Sequence, residues 1–195
     1  MTHPSNIWTG DLVRLRAIEP DDWEHFYRWN QDSEAERSGY WIPPPQSKEA
    51  VRKWAEAQAT AKPEDDNVRF AIETVDRVLV GTLNVNGADR RNGTFEYGIS
   101  LGREHWNHGY GADAILVVLR YMFGELRYQK ANATVYAFNE GSLALHRKLG
   151  FIEEGRIRRN YYTGGEYHDE FWFGITREEF EERERERGAP IGLRG

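Results

Sequence analysis

The sequence contains no cysteine, so it can form neither a disulfide nor a thiolate metal site, and it has no cysteine nucleophile. It also has no apolar run near the roughly 20 residues that a membrane-spanning helix needs. The N-terminal stretch MTHPSNIWTG lacks the charged-then-apolar pattern of a signal peptide. These absences predict a cytoplasmic protein with no membrane partner.

An excess of basic residues is missing as well. The chain has 26 basic and 32 acidic residues and a net charge of -6. A general nucleic-acid binder needs a basic surface that displaces counterions, so we expect no nucleic-acid partner. The negative charge mildly favours cationic partners, although it is also an ordinary charge for solubility. Large rings are abundant instead: seven Trp, ten Tyr and nine Phe among 195 residues predict a packed core.

Apolar periodicity predicts both strands and helices, without regular alternation between them. Strands are predicted over 11–17, 68–75, 78–85, 94–101, 131–138, 151–158 and 169–176. Helices are predicted from about 21, over 48–61, 112–126 and 140–149, and from 176, where Thr176 and Glu179 have capping-box spacing. The stretches 38–46 and 86–93 are predicted as loops. The pattern indicates an α/β fold with a mixed sheet, in one domain over residues 1–195.

The segment after the predicted strand 94–101 is rich in glycine and leads directly into an apolar helix. Asn107–Ala112 contains Gly109 and Gly111. Backbone N–H groups at a helix N-terminus bind anions, and glycine lets the chain approach them closely. A pyrophosphate is the natural ligand, with an ordinary tight turn as the alternative. The lysine of a Walker loop and the third glycine of a dinucleotide fingerprint are absent, which excludes both motifs.

A second segment makes the pattern recognisable. The residues NEGS at 139–142 open a helix that ends with KLGF at 148–151. With Trp106-x-x-Gly109-x-Gly111, this order resembles the GCN5-related N-acetyltransferase superfamily, whose motifs are Q/R-x-x-G-x-G/A and N-x-x-S/A…K-L-G-F. The stretches LR at 15–16, FEY at 95–97, ExG at 153–155 and GEYxD at 165–169 resemble its branch of ribosomal-protein alanine and spermidine acetyltransferases. The resemblance covers roughly residues 11–180.

The resemblance implies an acetyl-CoA-dependent enzyme that transfers an acetyl group to a primary amine by direct attack on the thioester. It implies a twisted, mostly antiparallel mixed sheet of about six to seven strands, flanked by about four helices. A charged C-terminal helix and a frayed tail over 181–195 would follow the core. Acetyl-CoA and an amine are the expected partners, no metal is expected, and a homodimer is left open. The expected cofactor-binding residues are Ile99, Leu101, Asn107, His108, Gly109, Tyr110, Gly111, Ala112, Asn139 and Ser142.

Two positions depart from the superfamily pattern. Trp106 occupies the Q/R position, so the side chain there is not expected to bind phosphate as in other members. His146 stands where the superfamily often has a tyrosine that protonates the leaving thiolate. We therefore expect His146 as the catalytic acid. Because it borders an apolar face of the predicted helix 140–149, beside Leu143 and Leu149, a packed core histidine is the alternative. Glu96 matches a glutamate of the branch and is the expected base, with a solvated strand glutamate as the alternative.

The segment joining the first two predicted helices borders the acceptor site in this superfamily. Asp32, Glu34 and Glu36 could attract a cationic amine there, and Tyr40 and Trp41 could form a wall of the pocket or simply pack. The acceptor itself is left open between a peptide N-terminus, a polyamine and a small amine. A non-catalytic acyl-CoA-binding sensor or interaction module is the alternative function, because the cofactor motifs alone are compatible with both.

Overall fold

The computed structural model describes residues 6–39, 42–63 and 65–188. Its strands are β1 (Val13–Arg16), β2 (Val68–Thr74), β3 (Leu79–Asp89), β4 (Thr94–Leu101), β5 (Lys130–Tyr136), β6 (Ile152–Thr163) and β7 (Glu166–Thr176). Its α-helices are α1 (Trp23–Trp29), α2 (Ser33–Gly39), α3 (Lys48–Thr60), α4 (Tyr110–Gly124), α5 (Glu140–Leu149) and α6 (Arg177–Glu186). Single 3-10 turns lie at Pro20–Asp22 and Arg103–His105.

The strands form a seven-stranded sheet in the order β1-β2-β3-β4-β5-β7-β6. β2 pairs with β1 and β3 in antiparallel fashion, and β7 pairs likewise with β5 and β6. β4 and β5 are parallel, with Thr94–Glu96 beside Lys130–Asn132. The prediction of an α/β fold with a mostly antiparallel mixed sheet is confirmed.

Several predicted boundaries were wrong, and polar composition explains them. β3 continues to Asp89 through residues predicted as loop, and α2 includes Ser38 and Gly39, also predicted as loop. The β6–β7 hairpin is longer than predicted. The extra length is not visible in the sequence, because β6 lies at the sheet edge and nearly all of its residues are exposed. An edge strand that faces water on both sides lacks the apolar alternation by which strands are predicted. The tail beyond residue 188 lies outside the described residues.

The chain divides into two compact units. The first contains the described residues up to Asn86 together with Gly98–Val118, and the second contains Gly87–Tyr97 together with the described residues from Leu119 onward. In the first unit, a buried cluster joins the early helices to β2 and β3: Ile18, Phe26, Val51, Ala55, Ala71 and Leu79. Ser47 caps α3 as predicted, accepting a hydrogen bond from the N–H of Ala50 at 3.1 Å.

A buried ion cluster also holds the first unit together. Glu73 of β2 is 7% exposed and pairs with Arg14 and Arg16 of β1. Arg16 also makes two 2.8 Å hydrogen bonds to the carboxylate of Asp22. Burial alone would raise the pKa of Glu73, but the hydrogen bonds from Arg16 and Arg14 hold this pKa below its usual value.

Aromatic rings form the core of the second unit. Phe95 of β4 contacts Phe123 and Tyr128 with ring centroids 5.8 and 5.5 Å apart. Phe123 also contacts Phe180 of α6 at 5.6 Å. The predicted capping box at the start of α6 is confirmed. α5 ends, also as predicted, at Gly150, whose φ of 94° favours glycine.

Candidate active site

β4 presents its residues alternately to two faces of the sheet. Phe95 is fully buried and Tyr97 is 8% exposed, so both point into the core. Glu96 lies between them and points to the opposite face, where the parallel register places it beside Asn132. In the described part of the chain, the Glu96 side chain has neither a hydrogen-bond nor an ion-pair partner. Its carboxylate is therefore available to accept a proton.

The loop after β4 is closed by its own side chains. The Trp106 indole donates a hydrogen bond to the Leu101 carbonyl at 2.9 Å, and the Arg103 guanidinium lies 5.2 Å from the Trp106 ring centre. The His108 ring donates from Nδ1 to the Trp106 carbonyl at 2.7 Å and stacks on Tyr110. These contacts of Trp106 stabilise the conformation of the loop. Trp106 occupies the position at which the superfamily motif has Gln or Arg.

The glycine-containing segment turns sharply into α4. Asn107 and Gly109 both have positive φ, 61° and 84°. The helix begins at Tyr110, two residues earlier than predicted, and its first backbone bond runs from the N–H of Asp113 to the Gly109 carbonyl at 3.1 Å. The first N–H groups of a helix have no acceptor within the helix. This N-terminus therefore presents donors that can bind an anion.

A carboxylate in the first turn of α4 fixes this segment to β1. Asp113 is 6% exposed and accepts hydrogen bonds from the backbone N–H groups of Asp11, Leu12 and Val13 at 3.2, 2.7 and 2.9 Å. The carboxylate also fills the space beside Gly10, where a Cβ would lie 2.4 Å from it. The sequence does not single out Asp113, because an acidic residue in a first helical turn is common.

The second predicted cofactor segment begins with a capped helix. The Asn139 side chain accepts a hydrogen bond from the N–H of Ser142 at 3.0 Å. The Asn-x-x-Ser spacing therefore closes the N-terminus of α5. No described contact tests the prediction that these two residues also bind the cofactor.

His146 lies deep in the second unit, 3% exposed. Its ring stacks between Tyr97 and Phe173, with centroids 5.9 and 5.7 Å away, and meets the edge of Phe151 at 5.2 Å. Nδ1 lies 2.7 Å from the Ser142 carbonyl, which can only accept, so Nδ1 carries the proton. Burial lowers the pKa of His146, although this hydrogen bond opposes the shift.

The two predicted catalytic residues lie on opposite sides of β4. His146 stacks on Tyr97, which points into the core, and Glu96 points to the other face. The sequence does not predict this arrangement, because its pattern shows only that His146 borders an apolar helix face.

The predicted acceptor residues differ in their partners. Asp32 is bound by Arg103, which lowers the pKa of Asp32 to about 2, and Glu34 pairs with Arg37 at 3.2 Å. Glu36 is half-buried, and burial raises its pKa, with a contribution from nearby Asp32. Tyr40 and Trp41 lie outside the described residues. Glu36 therefore differs from Asp32 and Glu34, because burial and not a paired arginine dominates its environment.

Within residues 6–39, 42–63 and 65–188, no three His, Asp or Glu side chains come together as a metal site would require. No helix in these ranges is both long enough and apolar enough to cross a bilayer.

Comparison with known families decides the assignment. The model of the acetyltransferase (GNAT) domain matches residues 13–152, well over half of the chain. The chain belongs to the GNAT acetyltransferase family. It is therefore an N-acetyltransferase.

Individual GNAT proteins agree with this assignment. The chain is 42% identical to the SPbeta prophage-derived uncharacterized N-acetyltransferase YokL of Bacillus subtilis (strain 168), over 89% of this chain and 95% of that protein. It is 26% identical to the putative ribosomal N-acetyltransferase YdaF of the same strain, over 87% and 93%. The fold matches that of spermidine N-acetyltransferase from Vibrio cholerae in complex with CoA and spermine, with a TM-score of 0.71, 23% identity and coverage of 86% and 97%.

Proposed function

We propose that this GNAT protein uses acetyl-CoA and transfers its acetyl group to a primary amine by direct attack on the thioester. The observation that carries the proposal is the turn into α4, where positive-φ residues lead into a helix N-terminus whose N–H groups can bind a pyrophosphate. The complex of the Vibrio cholerae enzyme with CoA and spermine supports the same choice of ligands.

Acetyl-CoA would bind through the loop of the first unit. Its pyrophosphate would lie on the backbone N–H groups of residues 107–112, with Gly109 and Gly111 allowing close approach. The end of β4, at Ile99 and Leu101, leads into this loop, and Leu101 is tied to Trp106. The superfamily motif adds Asn139 and Ser142 to the proposed cofactor-binding residues.

Glu96 would act as the base. An alkylamine has a pKa of about 10.4 and an α-amine about 8, so most of the acceptor is protonated at neutral pH and cannot attack. Among the residues that the structure describes, the Glu96 carboxylate has no partner, which supports its taking a proton from the attacking nitrogen, directly or through water. The carbonyl carbon then bonds to nitrogen, and its bond to sulfur breaks.

His146 would not donate a proton to the leaving thiolate. Its one N–H in the neutral state is committed to the Ser142 carbonyl, and burial disfavours the imidazolium. The departing thiolate has little need of an acid, because a thiol has a pKa of about 8.5. We assign His146 to positioning within the proposed site.

The acceptor would be a cationic amine: a peptide N-terminus, a polyamine or a small amine. The carboxylates of Glu34 and Glu36 support a cationic acceptor. The half-buried Glu36 supports it most, because burial disfavours its charged form and raises its pKa, and a bound cation would stabilise that charge.

A panel assay tests the proposed function. Release of CoA thiol from acetyl-CoA would be measured with spermidine, an alanine-initiated peptide, an aminoglycoside and a small alkylamine, and mass spectrometry would identify the acetylated product. We expect one class to give amine-dependent release and a product heavier by one acetyl group. Thiol release that is the same with and without every amine would contradict the proposal.

Replacing Gly111 by Val tests the cofactor placement. A β-branched side chain at the proposed pyrophosphate approach should weaken CoA binding at least about tenfold, a loss of about 1.4 kcal/mol. Calorimetry with CoA would measure the affinity, and circular dichroism would show that the fold persists. The matched control is Gly155→Val in the exposed edge strand β6, where φ is not positive and a Cβ meets no atom within 4 Å. Equal affinity in the wild type and Gly111→Val would contradict this placement.

A further inference from the structure

Two polar atoms in the second unit are buried without a partner. They are the hydroxyl oxygen of Tyr97 and Nε2 of His146, and neither has a hydrogen-bond partner among the residues that the structure describes. Tyr97 is 8% exposed and His146 is 3% exposed. Most buried polar groups are hydrogen-bonded, and an unpartnered one costs stability, so a pair of them on adjoining side chains needs an explanation.

The two atoms have complementary hydrogen-bonding character. Because Nδ1 of His146 donates to the Ser142 carbonyl, Nε2 of the neutral ring is an acceptor. The Tyr97 hydroxyl is a donor, and burial raises its pKa well above the usual value, so it keeps its proton. The Arg147 guanidinium lies 5.9 Å from the centre of the Phe173 ring.

The stacking geometry prevents a direct bond between them. The rings of Tyr97 and His146 are 5.9 Å apart and within 18° of parallel. The Nε2 lone pair lies in the imidazole plane and therefore does not point at a hydroxyl that lies in the parallel phenol plane. A hydrogen bond weakens steeply when its donor and acceptor are misaligned. A small third group that both donates and accepts can satisfy both atoms.

We propose that Tyr97 and His146 together bind one buried water molecule, which accepts from the Tyr97 hydroxyl and donates to Nε2. Two polar protein groups are the minimum that retains an internal water. The chain Ser142 carbonyl, His146, water, Tyr97 then fixes the orientation and the tautomer of the imidazole. Tyr97 becomes a positioning residue for His146. This inference deepens the proposed function, and its tests below require no acetyl transfer.

Nitrogen NMR of the full-length protein labelled with 15N-histidine tests the tautomer and the water. We expect His146 to be protonated at Nδ1 with Nε2 as an acceptor. Tyr97→Phe removes one of the two groups that hold the water, so Nε2 should lose the water as its donor, and its resonance should move to higher frequency while the Nδ1 resonance stays. Tyr128→Phe, the same change at another buried tyrosine, is the control and should leave both in place. A proton on Nε2 in the wild type, or an Nε2 resonance unchanged by Tyr97→Phe, would overturn the proposal.

Urea unfolding gives an independent test. Tyr97→Phe should change the unfolding equilibrium constant in opposite directions, depending on whether a water satisfies the Tyr97 hydroxyl. If the water joins the two atoms, Tyr97→Phe removes a satisfied hydroxyl, and the unfolding equilibrium constant rises about fivefold. If the hydroxyl is unsatisfied, its removal lowers that constant. His146→Phe keeps the stacked ring and removes the acceptor, so in this background Tyr97→Phe should no longer have its destabilising effect. Additive effects of the two substitutions would contradict the coupling through a shared water.

Discussion

Asp113 and Glu73 in the first unit contrast with Glu96, Tyr97 and His146 in the second. Asp113 accepts hydrogen bonds from three backbone N–H groups, and Glu73 pairs with two arginines. The Glu96 carboxylate, the Tyr97 hydroxyl and Nε2 of His146 have no protein partner among the described residues. A carboxylate with several donors stabilises the fold, whereas one without a protein partner can interact with a ligand. The comparison predicts a stability loss from a change at Asp113 and an activity loss from a change at Glu96.

Asp113→Ala should show the largest effect. The change leaves three backbone N–H groups without their acceptor and should lower the free energy of unfolding by about 3 kcal/mol. Urea unfolding would measure it, and Asp113→Asn, which retains one oxygen, should lose less. The control is Asp76→Ala in the exposed turn between β2 and β3. A loss no larger than that of Asp76→Ala would break the comparison.

Glu96→Gln should lower the activity and leave the stability unchanged, in contrast to Asp113→Ala. The amide keeps the shape but cannot accept the proton, so kcat/KM should fall about 100-fold, within the range of a general base. Stability and CoA affinity should stay unchanged. Glu166→Gln at the exposed start of β7 is the control. Activity should recover partly at high pH, where more of the amine is neutral; activity that stays low there would make Glu96 a substrate-positioning residue.

His146→Phe should lower kcat less than Glu96→Gln does, because we assign His146 to positioning and not to proton transfer, and it should leave the CoA dissociation constant unchanged. Because the folded-state pKa of His146 is lowered from 6.5 by burial, the ring is neutral throughout the range in which the amine loses its proton. The wild-type rate should therefore rise with pH to a plateau. A falling limb above neutral pH that is present in the wild type and in His25→Phe, but absent in His146→Phe, would show that imidazolium acts as the acid.

The smallest effect is expected at Asp32, which Arg103 binds at the surface of the first unit. The folded-state pKa of Asp32 is lowered from 3.8 to about 2, chiefly by this hydrogen bond. Its contribution is therefore complete above about pH 4 and is lost as the pH falls towards 2. Asp32→Asn should cost little stability, since exposed ion pairs contribute little, and the difference should shrink over that interval. A constant difference across it would contradict this origin.

Local signals in the sequence predicted much of the fold. β4 and α5 have the predicted bounds, because strict alternation defines one, and Asn139 and Gly150 mark the ends of the other. The position of the loop before α4 was also predictable, since its glycines are visible in the sequence. Its attachment to β1 was not, because the partners of Asp113 lie about 100 residues away and leave no local pattern.

The chemistry of His146 needed the structure as well. Its place near the end of a helix and beside apolar residues was visible in the sequence. Which nitrogen carries the proton depends on the Ser142 carbonyl, and the open Nε2 depends on ring stacking with Tyr97. Stacking between residues 49 positions apart follows from tertiary packing, which the sequence pattern of either element does not determine.

The attachment of α4 to β1 also has a kinetic consequence. Hydrogen bonds from residues 11–13 to Asp113 close a loop of about 100 residues, and contacts of such sequence separation form slowly and late in folding. The turn into α4 should therefore be among the last parts of the first unit to become rigid. Pulsed hydrogen exchange during refolding should show the amides of Leu12 and Val13 gaining protection after those of β2 and β3. Protection that appears earlier would indicate that the N-terminal strand docks before the hairpin forms.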